Sequence, residues 1–208
     1  MPLLPPALFR NVSFVAGITV GSLFFAAVSG LLYVTSLFLQ EGEQLSPFAT
    51  AATMAPLSVG IIVTAFAFRS RVERLGRRLV AAGVVVTLLG VSTYLALTIT
   101  GAARPALLTL PLLCVGLGMG CCVGSLFATA LGDVDQEQAG SASGTLNALQ
   151  QVANAVGAAL VSTVFLAVVK DQGAPAAATA SLTAVLVVLV LCGACVPLLP
   201  RKAAADHH

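Results

Sequence analysis

Residues 69–78 read RSRVERLGRR, and five of the chain's ten lysines and arginines fall within them. Both flanks are apolar: PFATAATMAPLSVGIIVTAFAF at 47–68 comes before, and LVAAGVVVTLLGVSTYLALTI at 79–99 comes after. A helix rising 1.5 Å per residue needs about 20 residues to cross roughly 30 Å of hydrocarbon, and each flank is of that length. A short basic segment between two such runs is a loop between two membrane spans, and that reading decides the fold.

The rest of the chain repeats the pattern. Apolar runs at 14–39, 47–68, 79–99, 106–131, 139–169 and 176–199 predict an all-α membrane protein of six transmembrane helices in a single domain, 1–208. The runs are too long, and lack the alternation, for transmembrane strands. Composition agrees: 58% of residues are hydrophobic, 9% are charged and the mean hydropathy is +1.02. Soluble domains carry about 25% charged residues, so the expected solvent is the lipid bilayer. The net charge of +2 is too small to suggest a nucleic-acid partner. The run at 14–39 exceeds the roughly 7–15 apolar residues of a cleaved signal and reads as a retained span.

Basic residues in short loops stay on the cytoplasmic side. With that loop inside, six alternating spans place Arg10, Arg69, Arg71, Arg74, Arg77, Arg78, Arg201 and Lys202 inside and only Arg104 and Lys170 outside. The expected product is a multi-pass protein of the plasma (cell inner) membrane with both termini cytoplasmic.

The order of residues within the loop carries more than topology. ERLGRR at 73–78 resembles the end of the cytoplasmic loop signature of the major facilitator superfamily, glycine-x-leucine-x-aspartate-arginine-x-glycine-arginine-arginine. Arg69 stands at the first glycine, Arg71 at the leucine and Glu73 at the aspartate, a departure common in the second-half copy of this loop. LFRNVSF at 8–14 and EQAGSASGTLNALQQ at 137–151 are similar to the C-terminal half of the fourteen-spanner drug:proton antiporter branch. The resemblance covers essentially the whole chain. It implies one six-helix half built as two inverted three-helix repeats, with the basic loop between the second and third helices. It also implies a latch: Glu73, Arg74, Gly76, Arg77 and Arg78 are its candidates, by ion pairing or by capping a neighbouring helix. The plain alternative is that the arginines only anchor topology and attract anionic headgroups.

The fifth run is the most polar. At 100° per residue, Gly140, Ser143, Gly144, Asn147, Gln150, Gln151, Asn154 and Ala158 share an arc of roughly 120°, with Leu149, Val152, Val156 and Leu160 opposite. Amides are costly in hydrocarbon, so this face meets protein or water. It is either a cavity wall, with Asn147, Gln151 and Asn154 offering hydrogen bonds to substrate, or a helix-packing face. Tyr33 is a further cavity candidate. Ser143 and Gln150, at the edge of the arc, suit packing. Gly116, Gly120 and Gly124 recur every four residues and, with Gly140 and Gly144, are read as close helix approaches. Pro56 and Pro111 lie inside spans and should kink them.

All eight acidic residues (Glu41, Glu43, Glu73, Asp133, Asp135, Glu137, Asp171 and Asp206) fall in expected loops or tails. No carboxylate is left at membrane depth to carry a proton, and the only histidines are His207 and His208. The five cysteines lie in apolar spans as small hydrophobes, CGAC at 192–195 included. No metal site or cofactor is expected, there is no phosphate-binding loop, and no constellation suits intramembrane hydrolysis.

The function expected is transmembrane transport: the C-terminal-half-like part of a multidrug or small-molecule efflux transporter, alternating access with a second half. Partners would be the bilayer, a hydrophobic substrate, and an N-terminal half of six or eight helices or a second copy. The alternative is a truncated or structural membrane protein that moves nothing.

Overall fold

A computed structural model describes residues 12–69, 75–132, 134 and 136–200, with only the backbone described at 136–138. Five long helices run Val12–Leu37 (α1), Pro47–Phe68 (α2), Arg77–Ile99 (α3), Pro105–Leu131 (α4) and Gln136–Cys195 (α5). Among the described residues there is no strand. All five are long and apolar enough to cross a membrane.

The ends follow from local chemistry. A wide helical turn, Phe38–Gly42, extends α1, so Glu41 is helical rather than in a loop. Ser46 caps α2, its hydroxyl accepting from the Ala49 amide at 3.2 Å, and Pro47 occupies the first turn where its missing N–H costs nothing. At the end of α3, Gly101 takes φ +69° and Ala102 N–H reaches back to the Leu97 carbonyl at 2.8 Å, closing the helix. Pro105 then opens α4.

The runs at 139–169 and 176–199 emerge as two helices joined across a kink rather than parted by a loop. They are continuous in α5 except at Gly173, whose φ of 80° and ψ of 172° are not helical. A straight 60-residue helix would measure about 90 Å, three times the hydrocarbon thickness. The break turns α5 into two arms. Lys170 and Asp171 are helical residues beside it, not loop residues as expected.

Glycines set the packing. α4 lies between α2 and α3. A Cβ at Gly116 would overlap the Leu57 carbonyl, and one at Gly120 would overlap the Thr64 hydroxyl, both on α2. Gly118, on the other side of α4, meets Thr87 and the Gly83 carbonyl of α3. α1 packs chiefly on α5, where Gly157 abuts the Ala26 carbonyl and Gly30 faces Val161 and Val185. The core so formed includes Phe24, Leu31, Val91, Tyr94, Leu112 and Leu182.

The outer surface is apolar too. Phe48 is 85% exposed and Phe66 is 74% exposed, both on α2, and Leu89, Leu166 and Leu191 are also exposed. Such a surface is stable against lipid or protein and not against water. At one end of the bundle Arg77 reaches Pro197 and Leu199. At the other, Ile99 borders the same groove as Gln172 and Pro175.

Candidate functional site

Two places concentrate the amide and cationic side chains that the sequence analysis singled out. The first is the N-terminal arm of α5. Its buried stripe, Ala142, Leu146, Ala153, Gly157, Val161 and Phe165, is the face turned to the rest of the bundle. Asn154 stands beside that stripe, half-buried, and its Nδ2 donates to Gln151 Oε1 at 3.3 Å. Ser29 of α1 donates its hydroxyl to the Asn154 backbone carbonyl at 2.8 Å, pinning the two helices at that level. Gln151 and Asn147 continue the row onto the exposed side. Spaced by four and three residues, the three amides make one ribbon on one face. Tyr33 lies one helical turn past Ser29 on α1 and is 48% exposed.

The row is flanked by open positions. Gly140 and Gly144 are exposed, and a Cβ at either would meet nothing within 4 Å among the described residues. Their expected role as packing glycines is therefore not met among the described residues. Gly124 is exposed as well, whereas Gly116 and Gly120 do lie against α2. Gln150 lines a small cleft with Gly21, Ser22 and Phe25 of α1 and Phe127 of α4. Ser143 bonds back to the Gly140 carbonyl at 3.0 Å, within its own helix.

The second place is the basic end. Gly76 takes φ 41°, ψ −121° immediately before α3, a conformation that L side chains disfavour. Arg77 follows, donating to the carbonyls of Pro197 at 3.0 Å and Leu199 at 3.2 Å. These carbonyls belong to the 3₁₀ turn Val196–Leu198 and the residue after it, at a helix end where carbonyls lack intrahelical donors. Arg78 points elsewhere and is exposed. Glu73 and Arg74 lie outside the described residues.

The motif reading found Arg77 but not its partners, because no spacing rule links residues 120 positions apart. Ser29 was missed for a similar reason: one hydroxyl on an apolar helix has no periodicity. All five cysteines are free thiols, and Cys122 and Cys192 donate to the carbonyls of Val80 and Val20 across helix contacts, each at 3.5 Å. Among the described residues no group of histidine, cysteine, aspartate or glutamate could hold a metal ion.

Comparison with known proteins identifies the family. Residues 2–158 match the sequence profile of the Major Facilitator Superfamily. The chain is 39% identical over 170 residues to a probable actinorhodin transporter of Streptomyces coelicolor, covering 80% of this chain and 29% of that protein. It is 33% identical over 202 residues to the puromycin resistance protein pur8 of Streptomyces alboniger, covering 86% and 37% respectively. The multidrug resistance protein Stp of Mycobacterium tuberculosis is 29% identical over 167 residues, covering 80% and 30%. The chain thus spans between a quarter and two fifths of the length of these relatives. A multi-pass helical bundle, an apolar exterior and a profile match over most of its length lead to one assignment: the chain belongs to the Major Facilitator Superfamily, a family of membrane transporters and not of enzymes.

Proposed function

We propose that the chain is one half of a small-molecule efflux transporter, resembling the C-terminal half of the fourteen-spanner branch. In this reading the two arms of α5 are the fifth and sixth spans, and the six helices form two inverted three-helix repeats. A second half, encoded elsewhere or in the same gene, or a second copy, closes a midplane cavity. Rocking of the halves exposes that cavity to each side in turn.

The observation that carries the reading is the row Asn147, Gln151 and Asn154, open on a bundle whose other exposed faces are mostly apolar. Amides left facing lipid would be costly, so a water-accessible cavity is the environment that suits them. Tyr33 adds a hydroxyl one level further along. The substrate class that fits is a hydrophobic small molecule bearing a few hydrogen-bonding groups, in keeping with the actinorhodin and puromycin named for two of the relatives. With no carboxylate at membrane depth, any proton coupling would use a group on the other half.

The arginine-rich end is the cytoplasmic face of the inner membrane, with both termini inside. There Glu73, Arg74, Gly76, Arg77 and Arg78 form a latch for one conformation. Arg77 supports it most directly, since its contact ties the start of α3 to the end of α5.

The test is drug accumulation in a bacterial host stripped of its own efflux pumps, with a C-terminal tag on the product at its native locus. Efflux by the native product, lost in Gln151→Ala with Asn154→Ala at unchanged membrane abundance, supports the reading. Efflux unaffected by both substitutions removes the cavity assignment. No efflux by the native product, whatever its size on a blot beside the 21.0 kDa of this chain, favours a structural protein.

A further inference from the structure

A second opening lies away from the amide row, at the basic end of the bundle. It is a groove of about 430 Å³ between α2 and α3, floored by α4. Ligand pockets typically occupy about 300–1,000 Å³, so the space is of binding-site size. Phe68 of α2, Leu79 and Val86 of α3, and Leu117 of α4 are among its walls. Among the described residues, only two of its lining side chains, apart from the thiol of Cys121, carry polar atoms. Thr64 donates its hydroxyl to the Gly60 carbonyl at 2.9 Å, within its own helix. That leaves Arg78, which is exposed. Its neighbour Arg77 is committed to the carbonyls of Pro197 and Leu199.

A slot of hydrocarbon character with a guanidinium at its edge is chemically an amphiphile site. Water gains no hydrogen bonds from such walls, whereas an acyl chain matches them. The guanidinium fork is shaped for a phosphate. Arg69, exposed at the end of α2, adds positive charge at the same end and favours a headgroup of net negative charge. We propose that this groove holds one acyl chain of an anionic phospholipid whose phosphate sits on Arg78.

The chain contains no tryptophan, so Phe68→Trp introduces a sole indole at the groove. Leu191→Trp, at an exposed position on the C-terminal arm of α5, serves as the reference. Each is reconstituted in phosphatidylcholine vesicles containing a minor fraction of brominated phosphatidylglycerol or brominated phosphatidylcholine. The expected result is that brominated phosphatidylglycerol associates with the Phe68→Trp site roughly fivefold more strongly than brominated phosphatidylcholine, the step for one basic side chain. Leu191→Trp should show no such preference. Arg78→Gln should abolish the preference, and Arg78→Lys should retain part of it, which separates loss of charge from loss of fold. Equal quenching by the two lipids at Phe68→Trp overturns the site. So does an equal preference at both reporters, which would be diffuse surface attraction. Absence of quenching by either lipid would mean that protein covers the groove, and it also overturns the proposal.

Discussion

Arg77, at the start of α3, and Pro197, just past the end of α5, lie 120 residues apart and are joined by a 3.0 Å hydrogen bond from guanidinium to backbone carbonyl. The same guanidinium reaches the Leu199 carbonyl at 3.2 Å. One side chain therefore fastens the chain's last described turn to the basic loop. Arg77→Ala removes both bonds at a partly exposed site, a loss of about 1 kcal/mol, and should lower the melting temperature in mild detergent by about 2–4 °C. Arg77→Lys, with a point charge instead of a fork, should fall between wild type and alanine. An alanine variant as stable as wild type would show that the clamp does not hold the helix end.

The glycines should divide sharply. Gly116→Val places side-chain atoms where the Leu57 carbonyl stands, so α2 and α4 must part. The expected cost is upwards of about 2 kcal/mol, read as reduced membrane abundance and early unfolding. Gly140→Ala has open space around it and should stay within about 1 kcal/mol of wild type, on the stabilising side because alanine favours helix. Equal damage from the two would mean that α5 meets another chain at Gly140.

Gly173 holds a backbone conformation, φ 80° with ψ 172°, reserved for glycine. Gly173→Ala should therefore cost about 1–3 kcal/mol by straining the break between the arms of α5. Urea or heat unfolding in detergent measures it. Stability unchanged from wild type would mean that the chain turns elsewhere.

Water access separates the two sides of α5. In a background with the five native cysteines replaced by alanine, Asn147→Cys and Gln151→Cys should react rapidly with a membrane-impermeant thiol reagent in sealed vesicles opened to both sides. Asn154→Cys, half-buried, should react more slowly. Val156→Cys and Leu160→Cys should stay silent although their side chains are 58% and 47% exposed, because lipid covers them. Equal reactivity at all five positions would remove the cavity assignment.

Much of this architecture was legible in the sequence, and the gaps have physical causes. Run length alone located α1 to α4 to within a few residues, because hydrocarbon thickness sets helix length. The connection at Gly173 was legible in position, between the runs ending at 169 and starting at 176, but not in form. KDQGAPA reads as a loop, yet only Gly173 leaves helical geometry, and helical hydrogen bonding continues on either side. The amide face was legible from its 100° periodicity. Its contact with Ser29 was not, since a helix's own pattern does not say which neighbour it meets.

The crossing of α2 and α4 also bears on how these sequences drift over evolutionary time. At Gly120 the nearest obstruction is the Thr64 hydroxyl, a side-chain atom. Changing Thr64 to alanine removes that atom but leaves the Ile61 main-chain carbonyl 2.7 Å from the added Cβ, so a larger residue at 120 needs that exchange together with a small parting of α2 and α4. At Gly116 the obstruction is the Leu57 main-chain carbonyl, which every residue type carries. No exchange at position 57 makes room there, and glycine 116 should persist after the side chains around it have turned over.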